Sequence, residues 1–505
     1  MFKRIKGATL KGIEAIPIDI EVDATRGIPS LNIIGLAQGA AKESKDRAIH
    51  CLANSGIKLP PKKITISLAP ADIKKSGSGF DLPIAIGLAS VSLNLDFDTD
   101  QFIFAAELSL DGKLKPINGV FPIGVLARNK GLKLIVSKAN AKEAVLSKAL
   151  VYAFDHFLEV LSFLKGELSV EPEAPFNDTL YRENVEDQLD FADVKGQYKV
   201  KRAVMIAAAG FHNLLMVGPP GVGKSMIAKR IPTILPDMTD EEILETTKIY
   251  SVCGLLSQDR PIILERPFRA PHSGSSDVSL IGGGVNAMPG EITLAHNGVL
   301  FLDEFPEFKR NVIESLRQPL EDGVITVSRA SAKVTYPARF LLVAAANPCP
   351  CGYYGSKKRE CTCSIAQIKK YRSKISGPIL DRIDIQVNVP EVDYEKLSDN
   401  RVDLDSKTMK EIVQKTMDIQ RLRFKDDGIS YNSQMNEQYL KRYCCLDDES
   451  HAVLKLAVDR FGFSARSYSK ILKIARTIAD IDESDNILPK HIKEAISYRA
   501  LDWDV

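Results

Sequence analysis

Gly218-Pro219-Pro220-Gly221-Val222-Gly223-Lys224-Ser225 fits the pattern G-x-x-x-x-G-K-[ST], and its flanks decide how it is read. Asn213 to Val217 is an apolar run suited to a buried strand, and Met226 to Ile231 suits a helix. That strand–loop–helix order is what a phosphate-binding loop needs. Glycines let successive backbone N–H groups turn inward around phosphate oxygens, and the helix N-terminus adds partial positive charge. In this reading Gly218 to Ser225 cradles a nucleotide. Lys224 reaches its β- and γ-phosphates, and Ser225 holds Mg2+.

A second apolar run ends in acid. Gly298-Val299-Leu300-Phe301-Leu302-Asp303-Glu304 puts two carboxylates at the end of a buried strand, which is costly unless a cation or a water network uses them. Asp303 is expected to support Mg2+, and Glu304 to polarise the attacking water. Phe340 to Asn347 is a third buried strand. Asn347 at its end either orients water at the γ-phosphate or caps the strand. Farther on, Ser376 to Asp384 sets Arg382 among apolar residues. Arg382 either pairs with Asp381 or Asp384, or acts as an arginine finger in a neighbouring subunit's site.

Composition bounds the rest. A chain of 505 residues implies about three or four domains. An apolar content of 45%, a charged content of 26% and a net charge of +2 are ordinary globular values, so nucleic-acid contact must come from local patches. Met1 to Lys6 lacks an apolar signal region, and no apolar run is long enough to span a bilayer, so a cytoplasmic location is expected. Four of the eight cysteines fall in one segment, unlike a secreted disulfide scaffold. The segment reads Cys349-x-Cys351, nine residues, Cys361-x-Cys363. Four thiolates suit a structural Zn2+, although C-x-C pairs are tighter than the usual C-x2-C. The alternative is four ordinary thiols. Lys357, Lys358 and Arg359 lie between the pairs, so a closed loop would display a basic tip suited to phosphate contact.

Residues 1–165 read as an α/β domain, with strands at Ile16 to Val22 and Lys63 to Leu68 and a helix from Ala40 to Ala53. Ser76 to Pro83 and Gly112 to Ala127 resemble the Lon-type protease domain. Its Ser–Lys dyad would need a serine near Gly79 and a lysine near Ile123, and both are missing. Ser76 and Ser78 lie close by, but the lysine position is apolar, so proteolysis is not expected. Residues 166–190 are acidic, contain Pro172 and Pro175, and read as a solvated linker. The second domain, 191–392, opens at Phe191 to Gln197, and Lys199 to Ala209 looks helical. Val194 to Gln197 either packs or, as the family segment that it resembles does, borders an adenine. Val324 to Tyr336 has hairpin patterning around a polar tip. Arg329 and Lys333 flank that tip, either as phosphate contacts or as solvated charges. Residues 393–505 read as helical, with helices at Thr408 to Phe424, Ser450 to Arg460, Ser467 to Ile481 and Pro489 to Leu501. The charged face of Lys470, Lys473 and Arg476 is expected to be solvated.

The phosphate loop, the Asp303–Glu304 strand, Asn347 and the Leu380-Asp381-Arg382 segment together resemble an AAA+ ATPase, whose fold is a P-loop α/β core with a parallel sheet and a C-terminal helical lid. Arg269 to His272, Leu280 to Gly284, Pro289 to Ile292, Leu316 to Glu321 and Asn347 to Gly352 narrow the resemblance to the magnesium-chelatase-like ComM/YifB family. It covers nearly the whole chain, including Phe461 to Arg466. The resemblance implies a homo-hexameric ring motor that uses ATP and Mg2+. It makes Arg466 the second sensor arginine, places extra hairpins at Pro267 to Glu291 and Val324 to Tyr336, and gives DNA as partner, in branch migration during natural transformation. One rival is a metal-chelatase motor, disfavoured by the Lon-like domain and the cysteine cluster. The other is an ATP-dependent protease, disfavoured by the missing dyad.

Overall fold

The computed structural model describes residues 1–73, 75, 77–95, 98–175, 189–284, 287–329, 332–356, 358–391 and 404–499. Ser76, Lys357, residues 176–188 of the acidic stretch, the 392/393 boundary and the side chain of Arg329 lie outside the described residues.

The N-terminal part is built on two-residue alternation. Ile18, Ile20 and Val22 are fully buried in the strand Glu14–Thr25, with Asp19 and Glu21 between them on the other face. This strand pairs antiparallel with Phe2–Lys11 and with Lys63–Ala69, and the latter pairs parallel with Ser30–Ile34. The helix Asp81–Leu93 is apolar nearly all round because it is buried between this sheet and its neighbours. Its first residue, Asp81, is fully buried and accepts hydrogen bonds from Arg47 Nε at 2.6 Å and Nη2 at 3.2 Å. A parallel sheet of Phe102–Ala105, Lys133–Ser137 and Val151–Phe154 completes this part.

The turn between the first two strands reaches the rest of the molecule. Gly12 has φ +65°, and a Cβ there would lie 3.0 Å from Val334 Cγ1, while Ile13 packs against the apolar cluster that includes Ile325, Val327 and Tyr336. Glu14 pairs with Lys248 at 2.8 Å. Ser251 Oγ donates to Glu143 at 2.6 Å, and burial pushes that carboxyl above its usual pKa.

The core is a five-stranded parallel sheet in the order Phe268–Arg269, Val299–Leu302, Leu341–Ala346, Leu214–Val217, Ile385–Asn388. Its three central strands, Val299–Leu302, Leu341–Ala346 and Leu214–Val217, are continuous apolar runs because both faces are covered. Leu214 and Met216 face a cluster with Ile206, Ile474 and Ile478. Leu215 and Val217 face another with Leu280, Phe305 and Tyr336. The result is a mixed α/β fold of the P-loop AAA+ type. The Leu214–Val217 strand lies where connections depart to opposite sides, and in open α/β sheets a ligand crevice lies at the carboxyl end of such a strand. Strands Val324–Arg329 and Ala332–Pro337 form the expected hairpin. Between Pro267 and Glu291 the antiparallel pairing is shorter, Gly282–Gly283 with Met288–Pro289.

The C-terminal helices are Ser406–Arg423, Glu437–Tyr443, Asp448–Phe461, Ala465–Ile481 and Pro489–Ser497. The expected solvated face of Lys470, Lys473 and Arg476 is not solvated. Lys470 Nζ lies 2.6 Å from the buried Asp384, Lys473 Nζ donates to the Ser433 carbonyl at 2.9 Å, and Arg476 lies on Asp480 at 2.9 Å. The stripe is turned inward, where Asp384 and the Ser433 carbonyl, from distant parts of the chain, and Asp480, from the same helix, supply its partners. Asp480, 2% exposed, also takes Arg423 at 2.7 Å and Asn432 at 2.8 Å. Asp480→Asn keeps the shape but removes the charge that offsets two buried guanidinium groups. It is expected to lower unfolding free energy by about 2 kcal/mol in denaturant titrations.

Candidate nucleotide-binding site

The phosphate loop begins where the Leu214–Val217 strand ends and the helix Lys224–Arg230 starts. Gly221 and Gly223 adopt φ of +80° and +93°, a region that side chains disfavour. Gly218 is required for space, since a Cβ there would meet the Val389 carbonyl oxygen at 2.4 Å. The neighbouring Pro390 carbonyl accepts from Gln197 Nε2 at 2.7 Å, so the 194–197 segment lies beside the loop.

Lys224 is 8% exposed. Its ammonium donates to the carbonyls of Gly218 at 2.6 Å and Pro219 at 2.9 Å, and to Asn347 Oδ1 at 3.1 Å. Burial lowers its pKa, with Asp303 and Glu304 acting against that shift. None of the three hydrogen-bond partners is charged, so a polyanion at the loop would supply the missing countercharge. Ser225 Oγ donates to Asp303 Oδ2 at 2.6 Å. A hydroxyl beside a carboxylate is the oxygen donor set that Mg2+ takes. Asp303 Oδ1 also accepts from the Glu304 N–H at 2.9 Å. Glu304 is exposed and sits at φ +50°, a left-handed conformation that a glutamate rarely adopts. The structure thus brings together Lys224, Ser225, Asp303, Glu304 and Asn347, drawn from three adjacent strand ends.

Arg382 and Arg466 gather elsewhere. Arg382 does not pair with Asp381 or Asp384. Asp384 is occupied by Lys470 and by the Asn213 N–H at 2.9 Å. Arg382 instead pairs with Glu321 and donates to the Pro378 carbonyl at 2.7 Å, and Arg466 reaches the same Glu321 at 3.5 Å. Among the described residues neither arginine bonds to the phosphate loop. Both line an open cleft of about 840 Å³ with Glu321 and Arg339. Sequence reasoning passed over Glu321, which stood out only as the end of the Leu316 to Glu321 motif.

The cysteines converge. Sγ of Cys349 lies 3.4 Å from Cys351 and 3.6 Å from Cys361, Cys351 and Cys361 are 3.6 Å apart, and all four sulfurs fall within 4.8 Å of one another. Tetrahedral Zn–S bonds of about 2.3 Å place sulfurs about 3.8 Å apart, so the set fits zinc. The Tyr353 N–H draws the Cys351 thiol down to about 5. Cys361 goes up to about 12: against the Cys363 N–H, desolvation and the neighbouring Cys351 and Cys349 raise it. Such crowded thiols ionise together only around a cation. Gly352, between the pairs, abuts the phosphate loop, where a Cβ would meet Pro220 Cδ at 2.8 Å. Only the folded chain reveals that contact.

Of the basic candidates, Lys333, Lys358 and Arg359 are exposed. Arg359 stacks 4.4 Å over the Tyr353 ring and donates to its hydroxyl at 3.2 Å. Ile123, at the lysine position of the dyad, is buried, and Ser78 Oγ, close to the serine position, donates to the Glu107 carboxylate. Among the described residues no helix is long and apolar enough to cross a membrane.

Residues 190–397 match the family described as magnesium chelatase, subunit ChlI. Residues 20–140 match subunit ChlI of Mg-chelatase, and 403–499 match the C-terminal part of that subunit. The chain is 42% identical over 500 residues to competence protein ComM of Haemophilus influenzae, which covers 97% of this chain and 96% of that protein. It is also 42% identical over 494 residues to the uncharacterized protein YifB of Escherichia coli, with the same coverage of 97% and 96%. A more distant relative is the maternal DNA replication licensing factor mcm6 of Xenopus tropicalis, 22% identical over 333 residues, 60% of this chain and 36% of that protein. Phosphate loop, parallel core and full-length similarity converge, and the chain belongs to the ComM/YifB family of magnesium-chelatase-like AAA+ ATPase motors.

Proposed function

We propose that the chain is an ATP-driven ring motor acting on DNA, a helicase for branch migration in natural transformation and recombination. One observation carries the ring. Lys224, Ser225, Asp303 and Asn347 are assembled at one place, while Arg382 and Arg466 share Glu321 at another. A closed ring of copies, here a homo-hexamer, sets the arginines of one subunit against the nucleotide of the next. In this reading Lys224 and residues 218–225 bind ATP, Ser225 and Asp303 hold Mg2+, Glu304 polarises water and Asn347 orients it. The 194–197 segment borders the adenine. Residues 1–165 are a Lon-like domain without its dyad, joined by the 166–190 linker to the ATPase core of 191–392. Residues 393–505 are the lid carrying Arg466.

DNA as the substrate draws on two relatives, a competence protein and a replication licensing factor. Arg329 and Lys333 on the hairpin, and Lys357, Lys358 and Arg359 on the cysteine loop, supply charges that suit phosphate contact. Measuring ATP turnover with no polymer, with single-stranded DNA and with a branched duplex tests the reading. Stimulation by DNA, greatest with the branched form, is expected. Equal turnover in all three would reject the DNA assignment and favour a chelatase-type remodelling motor. The buried Ile123 argues against the protease reading, and casein should stay intact.

The cysteine cluster would hold one structural zinc per chain, with all four thiolates as ligands and no open position. Elemental analysis of protein purified without added metal should find about one equivalent. Cys361→Ser with Cys363→Ser should lose it and weaken DNA binding more than nucleotide binding.

A further inference from the structure

The two carboxylate oxygens of Glu321 are taken separately, Oε2 by Arg382 and Oε1 by Arg466. These arginines form one unit. Arg466 lies at the start of the helix Ala465–Ile481, and about one turn on, Lys470 holds Asp384, two residues beyond Arg382. Both partners of that link are largely buried, so the two guanidinium groups keep their places relative to each other. Arg382 also keeps a buried Nε with no hydrogen-bond partner among the described residues.

Glu321 belongs to a different unit. It lies in the helix Arg317–Asp322, which ends at Gly323 with φ +67° and runs directly into the hairpin. The same helix is fastened to the hairpin by Gln318, which accepts from the Thr326 N–H at 3.1 Å and donates to Thr326 Oγ1 at 3.3 Å. The Ala338 N–H closes the base on the Gly323 carbonyl at 2.8 Å. The Glu321 side chain is 52% exposed, so the ion pairs it makes are weak and exchangeable. Arg382 nevertheless holds its carboxyl below the usual range, so it stays an anion.

We propose that Glu321 stands in for the phosphates of a neighbouring subunit's nucleotide, and that handing Arg382 and Arg466 over to that nucleotide releases the base of the hairpin. The inference rests on the ring reading above. A triphosphate offers more charge and more acceptor oxygens than one carboxylate, so it wins both arginines when the neighbouring site is filled. The helix Arg317–Asp322 then loses its tie to the arginine unit. With the neighbouring site empty, the tie re-forms. Glu321 is therefore a positioning residue that makes the hairpin report the neighbour's nucleotide state, and the hairpin is the element assigned to DNA.

Hydrogen exchange at the amides of Val324–Arg329 and Ala332–Pro337, in the full chain with and without a slowly hydrolysed ATP analogue, tests this. The parent should lose protection when the analogue binds. Glu321→Gln should exchange at the released rate without nucleotide and show no further change. Glu321→Asp should restore part of the response. Since Glu321 is exposed, the fold is not at stake in these variants. An analogue response in Glu321→Gln equal to the parent's would overturn the inference. Arg382→Ala separates the two layers. If it turns over ATP normally, the ring reading fails. If it is inactive while Glu321→Gln responds like the parent, only the role of Glu321 fails.

Discussion

Purified Glu304→Gln protein should bind ATP about as tightly as the parent and hydrolyse it roughly 10²–10⁴-fold more slowly. Glutamine keeps the size of the side chain but cannot polarise water or receive its proton. The residues that would bind the nucleotide are untouched, because Lys224 is held by two loop carbonyls and Asn347, and Ser225 by Asp303. The backbone supports the assignment. Glu304 stands at φ +50° directly after a buried strand, and strain of this kind persists where the surroundings impose it. A fluorescent nucleotide titration paired with a phosphate-release assay gives both numbers. Near-normal turnover would remove Glu304 from the mechanism and leave it a strand-end residue.

Arg382→Ala should lower turnover roughly 10³-fold or more, the range seen when a finger is withdrawn from phosphoryl transfer. Among the described contacts Arg382 bonds to Glu321 and Pro378, not to the phosphate loop of its own chain. An effect of that size therefore has to come through another copy. Mixing Arg382→Ala with Lys224→Ala protein checks the direction. In random rings roughly one interface in four combines an intact Lys224 with an intact neighbouring Arg382, so activity should rise above that of either variant alone. Mixed rings that demonstrably form yet stay inactive would sink the role in trans. Arg466→Ala should behave the same way in mixing, since it shares the Glu321 contact.

The sequence alone determined the features that live within a short window of chain. The strand–loop–helix at Gly218 to Ser225, the apolar runs ending in Asp303–Glu304 and Asn347, the hairpin and the clustered cysteines all rest on local spacing or two-residue periodicity, and the folded chain has them where expected. Charged side chains were legible only where a motif fixed their partners, as for Lys224 and Ser225. Elsewhere the tertiary structure decided. Lys470, Lys473 and Arg476 share a helix face, which periodicity shows, as it shows the i,i+4 pair of Arg476 with Asp480, but periodicity does not show that the face meets Asp384 and the Ser433 carbonyl. Arg382 had two acidic residues close by in sequence, yet it pairs with Glu321, 61 residues away, and Arg466 crosses 145 residues to the same carboxylate. The physical reason is that a charge settles where burial and a counter-ion leave it best compensated. Both are supplied by chain that is distant in sequence and adjacent only after folding.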